Sequence, residues 1–96
     1  INRDQSKIPK EYALQQNFPN PFNPTTTILY QLPKSSFVKL AIYDINGRLI
    51  EKLVNENKNA GYYTVGWNAS QVCSGIYFYR IDVGEFSCVK KCLIVK

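Results

Sequence analysis

The reactive side chains of this 96-residue chain are three cysteines, seven carboxylates and twelve lysines and arginines, and there is no histidine. The lack of histidine removes the usual general base, the Ser-His and Cys-His nucleophile pairs and the commonest metal ligand. The carboxylates (Asp4, Glu11, Asp44, Glu51, Glu56, Asp82 and Glu85) are scattered along the chain, and no spacing among them points to a glycosidase-type pair. Of the cysteines, Cys88 and Cys92 fall in one predicted strand, on one face and about 13 Å apart at roughly 3.3 Å per residue. That exceeds the Cα reach of a disulfide, about 7 Å at most, so the two cannot bond each other. Cys73 is free to meet one of them, and the simpler reading is small buried thiols filling the core. Zinc would need four clustered ligands, which these thiols do not supply. No Gly-rich phosphate loop precedes a helix, and Asn55-Glu56-Asn57 is too sparse for calcium. Asn68-Ala69-Ser70 fits a glycosylation sequon, a match short enough to arise by chance, while proline excludes Asn23-Pro24-Thr25. The residue inventory points away from catalysis and calls for no cofactor and no metal.

The basic groups leave binding as the remaining chemistry. The formal net charge is +5, which serves solubility or favours acidic partners. Nucleic acid is not expected, because most of the Tyr and Phe residues sit at strand-alternating positions, where they build core or sheet surface. No stretch approaches the ~20 apolar residues that span a bilayer. The opening residues Ile1 to Ser6 carry no signal-peptide apolar region, so an export address would have to lie elsewhere.

The elements that hold these groups read as strands. Residues 1–16 are polar, without a convincing period, and are expected to be a linker. Asn17-Phe18-Pro19-Asn20-Pro21-Phe22-Asn23-Pro24 cannot form a helix or central strand, since proline removes donors and forces its predecessor to be extended. It is expected to be a clamp whose Phe18 and Phe22 plug into the edge of the fold. Thr25 to Leu32 is β-branched and ends at Pro33. Phe37 to Tyr43 alternates, with Val38, Leu40 and Ile42 on one face. Asn46-Gly47 predicts a type I′ hairpin turn, with Asp44 placed to bond backbone amides there and Arg48 to pair with it. Arg48 to Val54 returns, and Asn55 to Ala60 is expected to be a polar loop. Gly61 to Asn68, Gly75 to Val83 and Phe86 to Val95 complete the set, the last two joined at Gly84-Glu85. Turn signals every 8–12 residues predict an all-β, antiparallel, immunoglobulin-like β-sandwich of six to seven strands over residues 17–96.

Several phrases together resemble a known family. Asn17 to Thr26 resembles the opening signature of type A C-terminal sorting domains of the type IX secretion system. Asp44-Ile45-Asn46-Gly47-Arg48 is similar to their D-x-x-G-R turn, and Gly61 to Asn68 to their G-x-Y-x-V-x-W strand. Ser74-Gly75-Ile76-Tyr77 and Lys90-Lys91 with Lys96 resemble the closing S-G-x-Y and K-K…K elements. The immunoglobulin-like domain of flagellar hook-capping proteins is similar through the middle of the chain but not at its two ends.

The resemblance implies a C-terminal signal that directs export of an upstream cargo across the outer membrane. The route runs through the periplasm to the cell surface or medium. Its partners are the secretion machinery and, in many members, a sortase-like peptidase that removes the domain before the cargo is attached to the surface. Gly75, Tyr77, Lys90, Lys91 and Lys96 are the expected recognition residues. Pro19, Asn20, Pro21, Asp44, Gly47 and Arg48 are expected to be mainly structural. Lysines on a final strand also guard its edge against aggregation, and both readings of them stand. Two other functions compete: a carbohydrate-binding or adhesive domain using Tyr43, Tyr62 or Tyr79, and a structural spacer.

Overall fold

The computed structural model describes residues 8–96, and among them there is no helix. Seven strands form: β1 (Ala13–Leu14), β2 (Thr25–Leu32), β3 (Ser36–Tyr43), β4 (Leu49–Lys58), β5 (Gly61–Asn68), β6 (Gly75–Val83) and β7 (Phe86–Ile94). They make two antiparallel sheets, one ordered β1-β2-β5 and the other β4-β3-β6-β7. The two sheets enclose one core in an immunoglobulin-like sandwich.

Period-two patterning sets which side of each strand faces inward. Ile28, Tyr30 and Leu32 of β2 bury against Val38, Leu40 and Ile42 of β3, with Tyr79, Ile81 and Val83 of β6 beside them. Trp67 closes one end of the core at 2% exposure. Its ring lies 5.6 Å from Phe22 and 5.8 Å from Tyr77, the latter edge-on, and its indole N–H donates to Glu51 Oε1 at 3.2 Å.

Four expectations change. The strand after the first hairpin runs to Lys58, not Val54: Asn55, Glu56, Asn57 and Lys58 pair with Lys39, Val38, Phe37 and Ser36. β4 is an edge strand, so its polar side chains stay in water while its backbone completes the ladder. The Asn46-Gly47 turn is not type I′, which needs positive φ at both central residues. Gly47 alone has it, at 82°; the Gly47 N–H to Asp44 C=O bond of 2.9 Å turns the chain over Ile45-Asn46, and the Asp44 N–H to Arg48 C=O bond of 3.0 Å closes a three-residue loop. Phe18 does not plug into the sandwich but stands 76% exposed, whereas Phe22 is buried. Of the three thiols, all unpaired, Cys92 alone is a core residue; Cys88 is half-buried and Cys73 exposed.

Of the segment expected to be a linker, residues 1–7 lie outside the described residues. Ala13–Leu14 lies along β2, with Leu14 buried. The Pro-rich segment makes isolated bridges, Phe18 to Thr27 and Phe22 to Ile94.

Candidate functional site

Prolines 19, 21 and 24 remove three backbone donors from one eight-residue stretch, so side chains must hold it. Asn17 is the hub. Its N–H donates to the Tyr79 hydroxyl at 2.7 Å, and its Nδ2 donates to Thr26 Oγ1 at 2.9 Å and to the Pro19 carbonyl at 3.1 Å. Its Oδ1 accepts from Gln16 Nε2 at 2.7 Å. Thr26 Oγ1 donates to the same Pro19 carbonyl, and the Tyr79 hydroxyl donates to the Gln15 carbonyl. Asn17 and Thr26 are buried polar residues, which is tolerable because the network satisfies them. Burial pushes the Tyr79 phenol well above its ordinary value, so it remains a proton donor.

The second half of the segment seals the outer edge of β7. Asn20 Oδ1 accepts from the Leu93 N–H at 2.9 Å. Phe22 N–H donates to the Leu93 carbonyl at 3.1 Å, and Val95 N–H donates to the Phe22 carbonyl at 3.0 Å. Gln16 Nε2 also donates to the Lys91 carbonyl at 2.7 Å. An edge that would otherwise offer free donors and acceptors is thus occupied over its last turns by the opening segment. Asn20 and Pro21 therefore lie against β7, some seventy residues away in sequence, while Pro19 is held beside β2 by Thr26.

The D-x-x-G-R turn reaches the same end of the sandwich. Tyr43 pairs with Phe78, and Phe78 pairs with Lys91, so the loop after Tyr43 stands beside the start of β6 and the end of β7. Asp44 caps this loop by accepting from the Asn46 and Arg48 N–H groups and from Arg48 Nε, each at 2.9 Å. Those bonds, the Arg48 amide's foremost, hold its carboxyl below the usual carboxylate range. Gly75 opens β6 at a φ of 142°. Tyr77 is buried, donates from its hydroxyl to the Cys73 carbonyl at 2.9 Å, and is raised in pKa chiefly by burial.

The three lysines are not gathered into one cluster. Lys90 is half-buried on the face of β7 that carries Cys88 and Cys92, and Lys91 is exposed on the other. The ammonium of Lys96 donates to the carbonyls of Ser70 (3.1 Å) and Val72, and its N–H donates to Ser74 Oγ. It is folded back on the β5–β6 connection. The sequence reading missed the Asn17–Thr26–Tyr79 hub. Its only trace there is a threonine at an inward position of β2, where alternation calls for an apolar side chain. Tyr79 is fully buried, so it is no platform for a sugar.

Among the described residues no group of three or more Cys, Asp or Glu could hold a metal. The fold bonds its opening segment to its closing strand at one end of the sandwich, with the central turn beside them. A family model described as "Secretion system C-terminal sorting domain" matches residues 16–96. The chain belongs to that family, and its function is that of a type IX secretion C-terminal sorting signal. Members are in general non-catalytic, and membership links the chain to the type IX machinery, to an upstream cargo and to export to the surface or medium. No curated protein matches the sequence. No helix among the described residues is long and apolar enough to cross a membrane.

Proposed function

We propose that the sorting signal is read on the folded sandwich, at the end where its opening and closing segments meet. The observation that carries this is the pairing of Asn20 and Phe22 with Leu93 and Val95. An unfolded chain holds these segments apart, and the fold makes them one surface. Residues 1–16 lead from the cargo into the sandwich of 17–96, with Ala13–Leu14 as the docked end of that linker. The hairpin β6–β7 is the docking element. Gly75 and Tyr77 shape its start, and Lys91 offers an exposed cation beside it. Lys90 and Lys96 complete the set, Lys96 by fastening the end of the chain. Pro19, Asn20, Pro21, Asp44, Gly47 and Arg48 hold the surface in shape. The domain itself performs no catalysis. It acts on a parent protein in the periplasm, and a sortase-like peptidase acts in turn on the linker, whose polar sequence suits entry into a protease cleft.

The test is a periplasmic reporter carrying residues 1–96 at its C-terminus in a bacterium with an intact type IX system. Reporter at the surface, lost when the system is disabled, is the expected result, with charge reversal at Lys90, Lys91 and Lys96 reducing it while folding is retained. Normal export of a folded triple variant would remove the lysines from the recognition set.

A further inference from the structure

The outer face of the four-stranded sheet has a feature that the sorting reading does not use. Alanine occupies its centre. Ala41 of β3 pairs with Lys52 of β4 on one side and with Arg80 of β6 on the other, so a methyl group lies between two long cationic side chains. Lys39, two residues earlier on the same face, is exposed. The result is a trough of about 580 Å³ floored by Ala41, with Lys39, Lys52 and Arg80 around it and Tyr43 and Leu49 at one end. A second depression continues it past Tyr43 and Arg80 to Phe78 and Val89.

The charge on this face is unbalanced. Arg80 pairs with Asp82 at 3.0 Å, but among the described residues neither Lys39 nor Lys52 has an ion-pair partner. Leu49 and Val89 are about half exposed along the trough, at 50% and 52%. The outer face of the other sheet is the contrast: Thr27, Leu29, Gln31, Tyr62 and Thr64 are exposed or half-buried there, without a charge. Like charges on one surface repel weakly in water, and a cationic band around an apolar floor is complementary to an acidic segment that carries apolar side chains.

We propose that this trough docks an acidic peptide segment of a protein partner, which lays carboxylates on Lys39 and Lys52 and apolar side chains along Tyr43, Leu49 and Phe78. The proposal deepens the sorting reading, since the partner it fits is a component met during export. Docking here uses side chains on a sheet face. It is distinct from strand addition at β7, whose edge is already occupied by Asn20 and Phe22. Complementary charge would speed encounter and be weakened by salt.

The probe is a ten-residue peptide of alternating Glu and Leu, titrated into the isotope-labelled 96-residue chain and followed by NMR. Shift changes centred on Lys39, Ala41, Lys52 and Arg80 are expected. Binding should weaken about tenfold in K39E/K52E, as expected when a complementary contact becomes a repulsive one, and should be unchanged in K10E/K34E, which makes the same charge change elsewhere. Absent shifts, shifts on the three-stranded face, or equal weakening in both variants would overturn the proposal. So would K39E/K52E-sensitive binding to anionic phospholipid vesicles without peptide binding, which would assign the face to a lipid surface. Reporter fusions separate this idea from the one beneath it. If the wild-type fusion is not exported, the sorting reading fails whatever the peptide does. If the wild type is exported and a K39E/K52E fusion of equal thermal midpoint is exported equally well, only the docking trough fails.

Discussion

At the scale of single residues, Tyr79 ties the Asn17 hub to the core, since its hydroxyl accepts from Asn17 and donates to Gln15 in the interior. Tyr79→Phe keeps the ring and removes both bonds, leaving a buried N–H without its partner. The expected loss is about 1–3 kcal/mol, read as a lower urea midpoint with an unchanged slope. The phenol adds a pH signature. Burial raises its folded pKa above the ordinary 10.0, so on alkaline titration the unfolded chain gives up this proton first. Stability from this group is intact below pH 10 and falls as pH rises beyond it. Tyr79→Phe should therefore show a shallower alkaline decline, the remainder coming from Cys92, whose thiol burial pushes up to about 11, and from Tyr30 and Tyr77, whose phenols are also raised by burial. An identical decline in both proteins would place the hydroxyl elsewhere than between Asn17 and Gln15.

At the scale of elements, the strands were largely legible and the contacts between them were not. Alternation at Val38, Leu40 and Ile42 identified β3 because its two faces meet different media, and Gly84-Glu85 marked the last hairpin because Gly84 supplies the positive φ, 58°, that its turn requires. The end of β4 was hidden, since an edge strand in water needs no apolar period at Asn55 to Lys58. The loop at Asn46-Gly47 was located but mistyped, because the dipeptide fits a two-residue or a three-residue connection and local sequence does not choose between them. The contact of Asn20 with Leu93 was out of reach, as proximity across seventy residues is a property of topology. That contact makes its own prediction. Asn20→Ala frees the Leu93 N–H, costs about 0.5–1.5 kcal/mol and reopens part of the β7 edge. Faster exchange at the Leu93 amide and stronger self-association in sedimentation are expected. Exchange as slow as in the wild type would mean that Phe22 alone seals the edge.

At the scale of the whole molecule, a signal written across the fold differs from one written in a peptide, and stability separates the two. A 96-residue domain has a net stability of about 5–15 kcal/mol, so one large cavity removes much of it. Trp67 is 2% exposed and touches Phe22 of the opening segment and Tyr77 of the closing hairpin. Trp67→Ala should cost about 3–5 kcal/mol while leaving Pro19, Asn20, Gly75, Tyr77 and all three closing lysines in the sequence. Trp67→Phe keeps most of the ring volume and should lose less. If the machinery reads the assembled end of the sandwich, export of a reporter should follow the folded fraction across wild type, Trp67→Phe, Tyr79→Phe and Trp67→Ala, whichever residue is changed. If it reads an extended tail, Trp67→Ala should be exported as well as the wild type, since every signature residue outside Trp67 is intact. Folded fraction from tryptophan-independent circular dichroism, set against surface reporter in the same strains, distinguishes a proportional fall from a flat line, and the flat line would end the folded-signal reading.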